Sequence, residues 1–168
     1  MREQVMYKIL NALGEEQKNN LLTLQSQVTM IPATSHRRRM GENINKKLSV
    51  YNLSKYLKWT VAQRKVFKDN FPANADSKAV VKWFVEYPAT TGFLDRMTYW
   101  VNEASPSWLT CYNIKGAGNI TLNDQNIIVP EGQGIEFSVD MIHEIKPTAT
   151  GTIWACVMTC DSVWNQNK

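Results

Sequence analysis

A chain of 168 residues, 43% hydrophobic and 20% charged, is long enough to bury a sizeable core in a single domain. No apolar run reaches the about eighteen residues of a membrane span, and the opening MREQVMYKILNALGEEQ is broken by charges and lacks a small-residue cleavage site, so neither a membrane span nor a secretory signal is expected. The net charge of +4 is unevenly placed, with residues 1–70 at +8 and residues 71–168 at −4.

Val5, Met6, Ile9, Leu10 and Leu13 recur at helical spacing and Gly14 follows, which predicts a short amphipathic helix. Leu22, Leu24, Val28 and Met30 alternate with polar residues, which predicts a half-buried strand ending at Pro32. Thr34–Asn45 reads as a polar loop carrying Arg37, Arg38 and Arg39. From Ser49 or Ser54 to about Asn70 a helical pattern returns, with Leu53, Leu57 and Val61 on one stripe and Lys55, Lys58, Arg64, Lys65 and Lys68 exposed. FPANADS then breaks the pattern and is the plausible internal boundary.

Beyond it, β-prone runs separated by Pro, Gly, Asn and Asp follow at Ala79–Tyr87, Phe93–Val101, Trp108–Ile114, Asn119–Leu122, Asn126–Val129, Ile135–Val139, Ile142–Ile145 and Thr152–Thr159. Eight short strands suit a jelly roll. Gly116-Ala117-Gly118 is expected to be a hairpin turn; no helix follows it, so it is not a phosphate-cradling loop. Cys111, Cys156 and Cys160 are an odd count without a C-x-x-C, and His36 and His143 lie far apart, so reduced, mostly buried thiols are expected rather than a zinc site.

The segment VPEGQGIEFSVDMIHEIKPTATGTIWACV, Val129 to Val157, is the most informative. A Pro–Gly turn leads into an apolar strand ending in Phe, then a histidine-bearing strand with Pro, a Gly turn and a last strand; the slots are Pro130, Gly134, Phe137, His143, Pro147 and Gly151. This resembles the closing strands of the iron(II)- and 2-oxoglutarate-dependent oxygenases. The resemblance implies a double-stranded β-helix, related to the cupins. It also implies an HxD metal pair about fifty residues upstream of His143, where the chain reads Phe93-Leu94-Asp95. The family's arginine, about ten residues after the histidine, falls on Ile153.

Each departure has a chemical consequence. A facial triad needs two imidazoles and a carboxylate, and Phe93 offers only an apolar ring beside Asp95 and His143. A guanidinium fork grips a carboxylate in two places and Ile153 cannot; Lys146 or Arg96 could serve only as point charges. His143 also reads as a structural histidine between Ile142 and Ile145, and Asp95 as a partner of Arg96. Metal, cofactor and catalysis are therefore not expected.

His36–Lys68 holds ten basic residues, Arg37, Arg38, Arg39, Lys46, Lys47, Lys55, Lys58, Arg64, Lys65 and Lys68, against one acid, Glu42. Such a run creates a strong local field and favours a polyanion. Tyr51, Tyr56 and Trp59 are interleaved with it, as platforms for stacking bases or as anchors of the helix to the body.

The expected fold is α+β, mainly β: a double-stranded β-helix core over 73–168 with a helical, basic N-terminal extension over 1–72, in one domain. The expected function is a cytoplasmic, non-catalytic binding protein that engages nucleic acid or a nucleoprotein machine. A compact chain with 15 asparagines on a stripped enzyme scaffold also suits a phage protein acting on host DNA or transcription. A divergent oxygenase and a protein–protein adaptor are the alternatives.

Overall fold

The structure, a computed structural model, describes residues 7–34, 50–54, 56–72, 79–87, 108–116, 118–122, 125–138, 143–147 and 151–159. The strands are β1 (Tyr7–Leu10), β2 (Met30–Thr34), β3 (Val50–Ser54), β4 (Ala79–Tyr87), β5 (Trp108–Lys115), β6 (Gly118–Leu122), β7 (Gln125–Ile128), β8 (Gly134–Ser138), β9 (His143–Pro147) and β10 (Thr152–Thr159). The helices are α1 (Glu15–Gln27) and α2 (Val61–Asn70), with a 3-10 turn at Tyr56–Lys58 before α2. Among the described residues the strands form two antiparallel sheets, one in the order β1-β8-β5-β10-β4-β3-β2 and one in the order β7-β6-β9.

Period-two alternation sorts the large sheet into two buried faces. Leu109, Cys111, Ile135, Phe137, Trp154 and Cys156 meet Ile120, Leu122 and Ile127 of the small sheet and Val129 in one core. Tyr112, Ile114, Ile153, Ala155, Val157 and Phe84 meet Leu21, Leu24, Trp59, Phe67 and Phe71 on the helical side in a second. The result is three layers: helices, large sheet, small sheet.

Two N-terminal elements differ from the sequence expectation. The predicted helix over Val5–Leu13 is in its described part the strand β1, whose Tyr7–Leu10 pair with Phe137–Gly134 at the edge of the large sheet. The predicted strand over Leu22–Met30 is the helix α1 up to Gln27. Leu21, Leu24 and Val28, all buried, follow the i, i+3, i+7 spacing of one helix face, and the alternation shared only Leu24 and Val28 with it. Glu15 and Glu16 in the first turn complement the helix dipole, and the Gly14 N–H donates to Gln17 Oε1 at 2.9 Å.

The helix expected from Ser49 or Ser54 is also shorter. Val50–Ser54 is β3, and α2 starts only after Thr60. Thr60 sets that start with a capping box: Gln63 N–H donates to Thr60 Oγ1 at 3.1 Å, and Thr60 N–H to Gln63 Oε1 at 2.9 Å. Because a strand, a 3-10 turn and a helix succeed one another, Leu53, Leu57 and Val61 do not share a face. Leu57 and Val61 are 87% and 78% exposed. The residues 1–72 thus supply three strands of the large sheet besides their two helices.

In the second half the described strands fall where the sequence places them, with the run Phe93–Val101 outside the described residues. The Gly116–Gly118 segment is a crossover rather than a hairpin, since β5 lies in the large sheet and β6 in the small one. Gly116 takes φ +93°, and a Cβ there would come within 2.6 Å of Thr152 Oγ1, so the turn admits only glycine without rearrangement. Lys18 of α1 braces the neighbouring turn: its Nζ lies 2.9 Å from Glu131 Oε2, while Glu131 Oε1 accepts from Gly116 N–H at 3.0 Å.

Candidate functional site

Two regions are candidates, the space between the sheets and the basic face around α2. Between the sheets the described side chains are almost all apolar. Asn113 is a buried polar residue beside this core: cross-strand register places it beside Trp154, and its amide donates to the carbonyls of Gly116 at 3.0 Å and Val129 at 2.8 Å. Asn113 Oδ1 and Trp154 Nε1 are buried without a hydrogen-bond partner among the described residues.

The positions expected of a metal site are distributed as follows. Phe93 and Asp95 lie outside the described residues. His143 is the first residue of β9, at the register position opposite Leu122, whose own side chain is fully buried between the sheets. Ile153 is buried, but against the helices rather than between the sheets. The residue beside it on β10, Trp154, is the one buried between the sheets. Trp154 is no more able than Ile153 to grip a carboxylate in two places. No group of three His, Cys, Asp or Glu side chains suited to a metal ion occurs among the described residues.

On the basic face, Arg37, Arg38, Arg39, Lys46, Lys47 and Lys55 lie outside the described residues. Lys58, Lys65 and Lys68 are exposed on the 3-10 turn and α2. Lys65 Nζ pairs with Asp69 Oδ2 at 2.7 Å, an i,i+4 contact that solvent largely screens. Arg64 braces the turn before α2, its Nε and Nη2 donating to the Trp59 carbonyl at 3.3 and 3.2 Å.

Trp59, read from sequence as either a stacking platform or an anchor, is an anchor. It is 4% exposed, and its ring meets Tyr56 at 4.9 Å, Phe84 at 5.4 Å and Phe67 at 5.5 Å between centroids. No face remains for a nucleobase, which corrects its placement among nucleic-acid contacts. Tyr56 is half-buried against Trp59, with Lys82 Nζ 5.0 Å and Arg64 Cζ 5.8 Å from its ring centre. Leu57 and Val61, flanking Lys58, are the surface residues that sequence reasoning missed. Only the Thr60–Gln63 capping signature could have revealed them, by showing that the helix starts after Leu57.

A buried polar pair, Thr110 and Glu136, lies on the helical side of the large sheet. Thr110 Oγ1 donates to Glu136 Oε2 at 3.3 Å, and both residues are fully buried. Burial, with the charge of Glu136 nearby, pushes the Tyr112 phenol up to about 12. Beside it, Gly134 leaves room for the Tyr112 ring, which a Cβ there would overlap.

No protein-family model and no curated protein sequence matches the chain. Its fold does match solved structures. A prolyl hydroxylase from Trichoplax adhaerens, in complex with a hypoxia inducible factor oxygen degradation domain peptide fragment, is similar over 98% of this chain and 88% of its own, at 12% identity and a TM-score of 0.62. An oxidoreductase of the 2OG-Fe(II) oxygenase family from Burkholderia pseudomallei covers 93% of this chain and 86% of its own at 11% identity, TM-score 0.57. AviO1 from Streptomyces viridochromogenes Tue57 covers 94% and 90% at 10% identity, TM-score 0.57. The two facing sheets, the helices packed on the larger one and these likenesses together give the chain the double-stranded β-helix fold of the 2-oxoglutarate- and iron(II)-dependent oxygenases.

Proposed function

We propose that this chain is a non-catalytic binding protein that uses an oxygenase-like scaffold to hold a basic surface against nucleic acid, alone or within a nucleoprotein assembly. The observation that carries the reading is the charge of His36–Lys68, ten basic residues to one acid. Within it, Lys58, Lys65 and Lys68 are exposed on one stretch of turn and helix. Phosphate contacts from such a surface position a protein without specifying sequence. The sequence supports the non-catalytic part, because Phe93 stands where a metal-binding histidine is expected and neither Ile153 nor its neighbour Trp154 can grip a carboxylate in two places. Host DNA or transcription, as for a phage protein, would be a natural target for such a binder.

A divergent oxygenase is the second reading, favoured by the match of nearly the whole chain to two oxygenase-type structures. The peptide held by the prolyl hydroxylase favours a third, a protein–protein adaptor. Affinity purification of the tagged protein from a native lysate, with and without nuclease, separates the binding readings. Co-purifying nucleic acid, with partners that nuclease releases, is the expected result. A protein partner retained after nuclease, with no nucleic acid, would replace the reading with the adaptor.

A further inference from the structure

Cys111 and Cys156 occupy directly opposed positions on β5 and β10, neighbouring strands at the middle of the large sheet. Both side chains point between the sheets, into one core, and they are 0% and 2% exposed. Directly opposed residues of an antiparallel pair have Cα atoms about 4.5–5.5 Å apart, inside the roughly 4.4–6.8 Å that a disulfide spans. In sequence the two cysteines are far apart, and only the β5–β10 pairing brings them together.

We propose that Cys111 and Cys156 are an oxidation site that a peroxide closes into a cross-strand disulfide. One thiol attacks the peroxide oxygen, becoming a sulfenic acid and releasing water. The second sulfur then displaces the hydroxyl as a second water, so two thiols and one hydrogen peroxide give one disulfide and two waters. The covalent loop so formed runs from β5 to β10 and contains β6, β7, β8 and β9, the whole described small sheet. Oxidation therefore staples β5 to β10 within the large sheet and closes the segment that carries the small sheet into a covalent loop.

Burial sets the rate. Both thiols are shielded in the closed barrel, and burial and the neighbouring Cys111 thiol hold the Cys156 thiol well above its ordinary range, so little Cys156 thiolate is present. Closure follows local opening of the sheets and accelerates in mild denaturant, since exposure rather than chemistry limits it.

The test treats the full chain carrying Cys160→Ser with hydrogen peroxide, in buffer and in urea below the unfolding transition, and follows intact mass, thiol count and melting temperature. The expected product is lighter by two hydrogens, has no titratable thiol and forms faster in urea. It also melts higher until dithiothreitol is added, with an unfolding constant lower by roughly a hundredfold to a thousandfold for a loop of this length. Adding Cys111→Ser, or separately Cys156→Ser, should abolish that product and leave only oxygen addition to the remaining thiol. Two persistent thiols after sub-transition urea would overturn the proposal. So would sulfinic acid in place of the disulfide, or an oxidised form that melts below the reduced one.

Discussion

Replacing Trp59 by alanine should unfold the protein at lower temperature, because this residue is the centre of an aromatic cluster rather than a surface platform. Its indole is 4% exposed and meets three rings within 5.5 Å, from the 3-10 turn, α2 and β4. Truncating a buried tryptophan costs about 3–5 kcal/mol in lost transfer energy and residual cavity. The lower end applies here, since Trp59 Nε1 is buried with no partner among the described residues and its removal relieves about 1 kcal/mol or more. At roughly 2–4 °C per kcal/mol for a domain of this size, about 3–4 kcal/mol lowers the melting temperature by about 6–16 °C. Trp59→Phe keeps the ring contacts and drops the unpartnered N–H, so it should melt within a few degrees of the wild type. Thermal denaturation followed by circular dichroism reads both variants, and fluorescence anisotropy with a single-stranded oligonucleotide reads binding. A Trp59→Ala variant that melts like the wild type, while binding weakens by the about 1–3 kcal/mol of a lost stacking base, would refute the anchor role.

Three further outcomes follow from the same structure. Anaerobic iron(II) with 2-oxoglutarate should give no visible charge-transfer band, and aerobic turnover no succinate; succinate production abolished by His143→Ala would establish the oxygenase reading instead. Tyr112 has a folded-state pKa of about 12 against an ordinary value of 10.0, so the unfolded chain loses this proton first as pH rises. Its stabilisation is complete below about pH 10 and is lost towards pH 12, a difference of about 2–3 kcal/mol. Tyr112→Phe should accordingly show a shallower fall in melting temperature between those pH values, and equal slopes would refute the assignment. Gly134→Ala forces a Cβ into the Tyr112 ring and should destabilise by about 1–3 kcal/mol in a urea titration, an effect that Tyr112→Ala should largely suppress.

The fold was legible in the sequence wherever alternation and turn residues agreed. From Ala79 onwards, apolar residues alternate along short runs and Gly116, Gly132 and Gly151 all take positive φ at turns, so local pattern and global fold coincide. The N-terminal half is harder because its elements are short and its apolar residues fit two periods at once. Leu24 and Val28 satisfy both a strand and a helix, and only the buried Leu21 decides for the helix. Tyr7–Leu10 is a strand because β8 offers it an open edge, which no local pattern records.

The candidate site was legible in chemistry more than in geometry. Lys58, Lys65 and Lys68 are exposed as their charge implies. An aromatic among lysines suggests a stacking platform, yet Trp59 faces Phe84 across the layers, and that contact depends on tertiary packing. Which of Ile153 and Trp154 is buried between the sheets depends on strand register, which residue spacing from His143 does not record. The Cys111–Cys156 pair was hidden for the same reason, since strand pairing, not sequence distance, brings it together.

The most direct test of the binding account is the salt dependence of affinity for a labelled oligonucleotide, single-stranded and duplex. Contacts from Arg37, Arg38, Arg39, Lys46 and Lys47 would each release counterion, at a slope of roughly −0.9 per contact on duplex or about −0.7 on single strands. Four or five contacts predict a log–log slope of about −4 on duplex, flattened by about 2–3 when Arg37, Arg38 and Arg39 are all changed to alanine. Salt-independent binding, or a slope that the triple substitution leaves unchanged, would contradict the nucleic-acid account.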